Sequence, residues 1–221
     1  MSNFTNSPLI AHTRLSPHFN TRNQPRVTKL TIHHTAGNIG LENLGNFLAQ
    51  QSTRASYNYG ISTDGRIGLF VEERNRSWAS SSGVNDHQAV TIGVANNGGA
   101  PSWSVSDRAF ESLLNLCVDV CERNGIAALV YDGTPNGSLT RHNMFTNTTC
   151  PGDFLQSRFP LICERVNARL APPITLPPDV APWAREAWEW AMREGITDGT
   201  RPTANVTRQE MVTMLHRARG K

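Results

Sequence analysis

The chain has 221 residues, 38% hydrophobic and 18% charged, with a formal net charge of +3. That is enough apolar material for one domain with a core plus a smaller appendage, and it excludes a disordered or fibrous chain. The mild positive balance suits an anionic polymer as partner. The two lysines, Lys29 and Lys221, and the lack of any Lys/Arg run argue against a nucleic-acid module, which would show a clustered basic face.

The N-terminal Met1-Ser2-Asn3-Phe4-Thr5-Asn6-Ser7-Pro8 lacks the charged and apolar regions of a secretory signal. No apolar stretch approaches the ~18 residues of a membrane span, so membrane insertion is not expected. Four cysteines in a chain of this size make no disulfide framework. The expectation is synthesis and first retention in a reducing cytosol.

From Lys29 to His34 the residues alternate. Leu30, Ile32 and His34 fall on one face of a strand, and Lys29, Thr31 and His33 on the other. Leu41, Leu44, Phe47, Leu48 and Gln51 follow at helical spacing. Tyr57 to Ser62, the Asp64-Gly65 turn and Arg66 to Val71 then read as a hairpin. A further strand is expected over Val90 to Ala95.

The clearest helix runs from Asp107 to Asn124, with Phe110, Leu113, Leu114, Cys117, Val118 and Cys121 on one stripe. Ser106 is its N-cap and Gly125 its stop. A short apolar stretch covers Ala127 to Tyr131, and a helix after Pro160 turns Ile162, Cys163, Val166 and Leu170 inward. Strands interleaved with helices predict an α/β fold, a mixed central sheet flanked by helices.

Ala171 to Asp179 is proline-rich and reads as a semi-rigid linker. The expected organisation is therefore a domain over 1–170, a linker over 171–180 and a small helical module over 181–221. In the module, one helix spans Pro182 to Glu194, and a second starts at the capping box Thr207-Arg208-Gln209-Glu210. Trp183, Ala187 and Trp190 share one stripe, and Met211, Met214 and Leu215 the other. So small a unit has a marginal core, which implies that it packs on a neighbour, self-associates or binds a surface. Trp183, Trp188 and Trp190 are read as packing residues and Arg208 as a helix-start residue or polymer contact. His12, His18, His87 and His216 are read as surface or loop positions, and Cys117, Cys121 and Cys163 as small core residues.

The chemistry rests on His33, His142 and Cys150. Two imidazoles and a thiolate can hold Zn²⁺ through three bonds and leave a fourth position open. Such open sites lower the pKa of bound water to about 7 and are catalytic. The spacing is too wide for a zinc finger, whose ligands come as close pairs. His34, projecting from the opposite face of the strand, is expected to pack or hydrogen-bond rather than to bind metal.

Four segments together resemble the zinc amidase family shared by phage lysozyme-type N-acetylmuramoyl-L-alanine amidases and peptidoglycan recognition proteins, also called amidase type 2. They are Leu30-Thr31-Ile32-His33-His34-Thr35-Ala36-Gly37, Ser56-Tyr57-Asn58-Tyr59-Gly60-Ile61 with Asp64-Gly65, Thr91-Ile92-Gly93-Val94, and His142 through Cys150-Pro151-Gly152. The resemblance implies the amidase/peptidoglycan recognition fold, bacterial peptidoglycan as substrate, Zn²⁺ on His33, His142 and Cys150, and hydrolysis of the amide between N-acetylmuramic acid and L-alanine. It further implies that Tyr57 and Thr148 stand near the scissile carbonyl as catalytic groups and that Trp78 contacts substrate. Two departures are visible. Ala95 stands where some relatives carry Glu, so no carboxylate base can be named, and Trp78-Ala79-Ser80 lacks the histidine that often follows this tryptophan.

Residues 181–221 resemble one S-layer homology repeat through Trp183-Ala184, Gly195-Ile196-Thr197-Asp198-Gly199 and Val206-Thr207-Arg208-Gln209-Glu210. This implies attachment to a secondary cell-wall polymer, often anionic, and the pair of resemblances together implies a phage-type endolysin held in the host cytoplasm until released to the wall. Two other readings stay open: a non-catalytic peptidoglycan-binding protein on the same fold, and a zinc peptidase cutting the stem peptide or cross-bridge.

Overall fold

The central strand β3 (Lys29–His34) is buried from Leu30 to His34, which places it inside a sheet with neighbours on both sides. In the computed structural model, residues 4–172 and 174–219 are described; Pro173 of the linker, Gly220, Lys221 and the first three residues lie outside them. The chain divides into two compact units, Met1–Ala171 and Pro172–Lys221.

The first unit is built on a six-stranded sheet of β1 (Ile10–Thr13), β3, β4 (Tyr59–Ile61), β5 (Ile67–Leu69), β7 (Ala89–Val94) and β8 (Leu139–Arg141), in the order β1-β5-β4-β7-β3-β8. The β4–β5 pair is antiparallel, as its Asp64-Gly65 turn predicts, and the others are parallel. Two three-residue strands, β2 (Phe19–Thr21) and β6 (Asn75–Ser77), form a separate ribbon. The mixed sheet flanked by helices is the fold expected from the sequence.

Helix α3 (Asp107–Asn124) forms with the caps the sequence predicts. Ser106 Oγ accepts from Ala109 N, and Gly125 takes a left-handed C-cap with φ 68°. Its stripe of Leu113, Leu114, Leu116, Cys117, Val120 and Cys121 packs onto Leu30 and Ile32 with Ile162 and Val166 of α5 (Phe159–Leu170), the helix that follows the single turn of α4 (Asp153–Gln156). Helix α1 (Leu41–Leu48) closes a second cluster with Leu41, Leu44, Leu48 and Phe70. Phe47 was expected on that inward face but is 50% exposed, and the helix ends before Gln51.

The other face of β3 is polar inside. Thr31 Oγ1 meets Thr140 Oγ1 at 2.9 Å and receives Asn85 Nδ2 of α2 (Gly83–Gln88) at 2.9 Å. The buried Arg22 guanidinium ties this region together through backbone carbonyls of Glu73, Asn75, Asp86, His87 and Ala89. With every donor satisfied this way, a buried charge holds loops in register instead of weakening the core.

His18, read as a surface or loop position, lies in the loop before β2 but not at the surface. It is buried, its Nε2 lies 2.8 Å from Gln50 O, and its ring stacks 5.4 Å from Trp78. Ala127–Tyr131 is loop; strand β8 comes afterwards and joins the sheet beyond the Asp132–Gly137 turn.

The second unit holds α6 (Arg185–Arg193), preceded by a short 3-10 turn at Pro182–Ala184, and α7 (Arg208–Arg219). The capping box forms reciprocally: Glu210 N donates to Thr207 Oγ1 at 3.2 Å, and Thr207 N donates to Glu210 Oε2 at 2.8 Å. Val180 and Ile196 are buried. Trp183, expected to pack, is 89% exposed, and Trp190, Met211 and Leu215 are also exposed, because two short helices cannot enclose that many large side chains. Among the described residues no helix is long and apolar enough to cross a membrane.

Candidate metal centre

Parallel pairing places the two histidines together. In the β3–β8 register Thr31 faces Thr140 and Ile32 faces Arg141, so His33 and His142 follow as the next pair beyond the carboxyl end of β8. Their ring centroids are 4.7 Å apart. The carboxyl ends of parallel strands open into a crevice, the usual place for a ligand in such sheets. His142 begins a 3-10 turn at His142–Met144 directly after β8.

Cys150 returns to the same point because its loop is closed by local hydrogen bonds. Asn143 N donates to Cys150 O at 3.2 Å, Cys150 N to Thr148 Oγ1 at 3.2 Å, and Gly152 N to Thr149 O at 2.7 Å. Cys150 Sγ lies 3.7 Å from His33 Nδ1 and receives the His34 N–H at 3.4 Å. The ligand atoms of His33, His142 and Cys150 all lie within 4.8 Å of one another, the one such group of three or more His, Cys, Asp or Glu side chains among the described residues.

Burial drives the His33 imidazole well below its ordinary pKa, reinforced by His142 and His34, and lowers His142 in the same way against a small opposing pull from Asp86. Both rings are therefore neutral, the form that ligates. Burial also pushes the Cys150 thiol up to about 12, opposed by the His34 N–H bond. A divalent cation reverses this, since a coordinating thiol is deprotonated outright. The Nε2 atoms of His33 and His142 are buried without a hydrogen-bond partner. Two neutral imidazoles, one thiol and these unpartnered nitrogens fit a borderline-soft, tetrahedral cation such as Zn²⁺.

Tyr57 joins the cluster. Its ring lies 5.3 Å from His33, and its hydroxyl is 3.4 Å from His34 O. Burial, with a smaller contribution from Cys150, holds that hydroxyl above the usual tyrosine range, so it stays a donor. Gly93 makes room: a Cβ there would sit 2.8 Å from Tyr57 Cδ2. A glycine inside a strand pattern signals such a close approach. Thr148 is half-buried, and because its Oγ1 accepts from Cys150 N its own proton is free to donate.

Trp78 is placed differently. Its Nε1 donates to Asn20 Oδ1 at 2.7 Å, its ring stacks on His18, and its backbone pairs with Ser56, the residue before Tyr57. It flanks the Tyr57 segment rather than joining the ligand cluster. Ala95 is buried with its N–H on Ile61 O, which leaves a methyl where some relatives carry a carboxylate. His34 behaves as expected: its ring packs edge-on against Trp103 at 5.0 Å. Trp103 itself is a residue that sequence reading did not single out.

Comparison with known proteins agrees with this arrangement. Residues 23–153 match the family model described as N-acetylmuramoyl-L-alanine amidase, Amidase_2, a span that includes all three ligands. No curated protein matches the chain. Among solved structures, the fold is similar to the hydrolase AmiA of Staphylococcus aureus, at 17% identity and TM-score 0.57 over 75% of this chain and 85% of that one. It is also similar to the endolysin N-acetylmuramoyl-L-alanine amidase LysCS of Clostridium intestinale, at 22% identity and TM-score 0.53 over 75% and 97%. A mutant endolysin from Bacillus subtilis matches at 13% identity and TM-score 0.54 over 71% and 99%. At these identities the structures speak to the fold, and the family model, which spans more than half of the chain, speaks to the class. The chain belongs to the Amidase_2 family of N-acetylmuramoyl-L-alanine amidases and is an enzyme of that class, with its His/His/Cys cluster at the carboxyl ends of β3 and β8.

Proposed function

We propose that the protein is a peptidoglycan hydrolase that cleaves the amide between N-acetylmuramic acid and the L-alanine of the stem peptide. The observation that carries this reading is the convergence of His33, His142 and Cys150 within 4.8 Å inside a matched amidase domain. Zn²⁺ held by these three side chains would supply a Lewis acid for the scissile carbonyl and a water acidic enough to react at neutral pH. The chain's own residues do the rest. Thr148 keeps an uncommitted O–H and the Tyr57 O–H is held only by a long 3.4 Å bond to His34 O, so both can turn as donors to the negative charge that develops on the carbonyl oxygen. With alanine at position 95, the proton path uses no carboxylate there. Trp78 is proposed to contact substrate on the Ser56–Tyr57 side of the cleft.

The second unit is proposed to be an S-layer homology-like module that binds a secondary cell-wall polymer, with the exposed Arg208 as a contact for an acidic chain. Together these features suit a phage-type endolysin, stored in the cytoplasm and acting on the wall after release. A non-catalytic recognition protein would have no need of the third ligand, and Cys150 is present.

The test is incubation of purified Gram-positive cell walls with the protein, with and without a zinc chelator, followed by identification of new end groups. New N-terminal L-alanine that vanishes with chelator and returns with Zn²⁺ is the expected result. Other amino termini would establish a peptidase instead, and binding without new groups a recognition protein.

A further inference from the structure

Trp103 occupies a backbone conformation that tryptophan rarely adopts. Its φ is 51°, in the left-handed region, where a bulky residue is an outlier that persists only when its surroundings impose it. The surroundings do so here. Trp103 N donates to Gly99 O at 2.8 Å, Asn96 Nδ2 donates to Trp103 O at 2.7 Å, and Asn97 N donates to Ser104 O at 2.9 Å across the base of the loop.

The same loop is bound to the chain that follows Cys150. Asp153 N and Phe154 N donate to Pro101 O at 3.4 Å and Ser102 O at 2.9 Å. A Cβ on Gly152 would lie 2.6 Å from Trp103 Cβ, so the tryptophan passes where residue 152 has no side chain. Its ring then meets His34 edge-on. Among the described residues Trp103 belongs to neither buried apolar cluster, and it is half-buried. A strained backbone is therefore maintained to hold a large, partly exposed ring beside the ligand loop, with little gained in core packing.

We propose that Trp103 is an aromatic wall of the substrate cleft, contacting the glycopeptide next to the scissile amide and setting how tightly substrate is held. A tryptophan face is apolar and rigid, which suits the carbon-bearing face of a sugar ring. This inference rests on the amidase reading of the His33/His142/Cys150 site. The competing account is structural: Trp103 locks the Cys150 loop and touches no substrate.

Two variants of the full chain separate these accounts. Trp103→Gly removes the ring while relieving the left-handed strain, since glycine, which has no Cβ, adopts positive φ readily. Trp103→Phe keeps an aromatic face. With a soluble muramyl pentapeptide as substrate, Trp103→Gly is expected to raise KM roughly tenfold, with kcat within about twofold and the bound zinc per chain unchanged. Trp103→Phe is expected to hold KM within about threefold of the unmodified protein. An unchanged KM in Trp103→Gly overturns the proposal, and so does a change that tracks loss of zinc. If the unmodified protein binds the muramyl peptide without cleaving it, the amidase reading fails but Trp103 is still tested. Calorimetry must then show weaker binding to Trp103→Gly, and equal binding, or none to either protein, overturns the proposal.

Discussion

The two units solve the same problem, hiding apolar surface, with different success. In the first, Leu113, Leu114, Leu116, Ile162 and Val166 are fully buried against Leu30 and Ile32, and the sheet they support fixes the His33/His142 pair by strand register. In the second, Trp183, Trp190, Met211, Val212 and Leu215 stay exposed around two short helices. The contrast separates two kinds of function. A metal centre needs ligand atoms held to within tenths of an ångström and so belongs on a core that over-determines it. The polymer contact proposed for the second unit would tolerate looser geometry, and a unit of this size supplies a surface rather than a cage.

The largest break in this comparison comes from removing a ligand. His142→Ala or Cys150→Ser should abolish zinc binding and reduce hydrolysis about a thousandfold or more, with the circular dichroism spectrum retained. Measured activity close to that of the unmodified protein in either variant would refute the metal assignment. Next is the oxyanion contribution: Tyr57→Phe should lower kcat on the order of a hundredfold while zinc content holds. Gly93→Ala should approach the same loss by displacing the Tyr57 ring, a change that Tyr57→Phe kinetics in the double variant would show to be shared rather than additive.

Stability draws the comparison more sharply. Leu113→Ala should destabilise the first unit by about 2–5 kcal/mol in denaturant unfolding, because the cavity lies in a closed core. Leu215→Ala, at a side chain 59% exposed, should change stability by about 0.5 kcal/mol or less. Equal effects at the two positions would mean that the second unit is better packed than its exposed residues indicate. The smallest expected change is catalytic: removing residues 172–221 should leave cleavage of a soluble muramyl peptide within about twofold while weakening retention on whole walls.

Much of the centre was legible because its determinants are local. Alternation over Lys29–His34 separated His33 from His34, and the helix over Asp107–Asn124 followed from its stripe, its Ser106 cap and Gly125. The missed elements lack such signals. Strands β2 (Phe-Asn-Thr), β6 (Asn-Arg-Ser) and β8 (Leu-Thr-Arg) are three residues long, too short for a period to emerge, and owe their conformation to partners far away in sequence. The burial of His18 and the left-handed backbone of Trp103 are likewise set by tertiary contacts. Nothing in a lone histidine or tryptophan announces them. Gly93 and Gly152 carried the available hint, since a side chain at either position would collide with an aromatic ring beside the His/His/Cys cluster, Tyr57 or Trp103.

The central claim is that the three-ligand cluster is the seat of the hydrolysis. It is tested most directly by titrating metal-free protein with Zn²⁺ while counting both the metal bound per chain and the N-terminal L-alanine newly exposed in cell walls. The account predicts that the two rise together, that activity is complete at one zinc per chain, and that Cys150→Ser shows neither. Exposure of N-terminal L-alanine by the metal-free protein, or by Cys150→Ser at an undiminished rate, would contradict it.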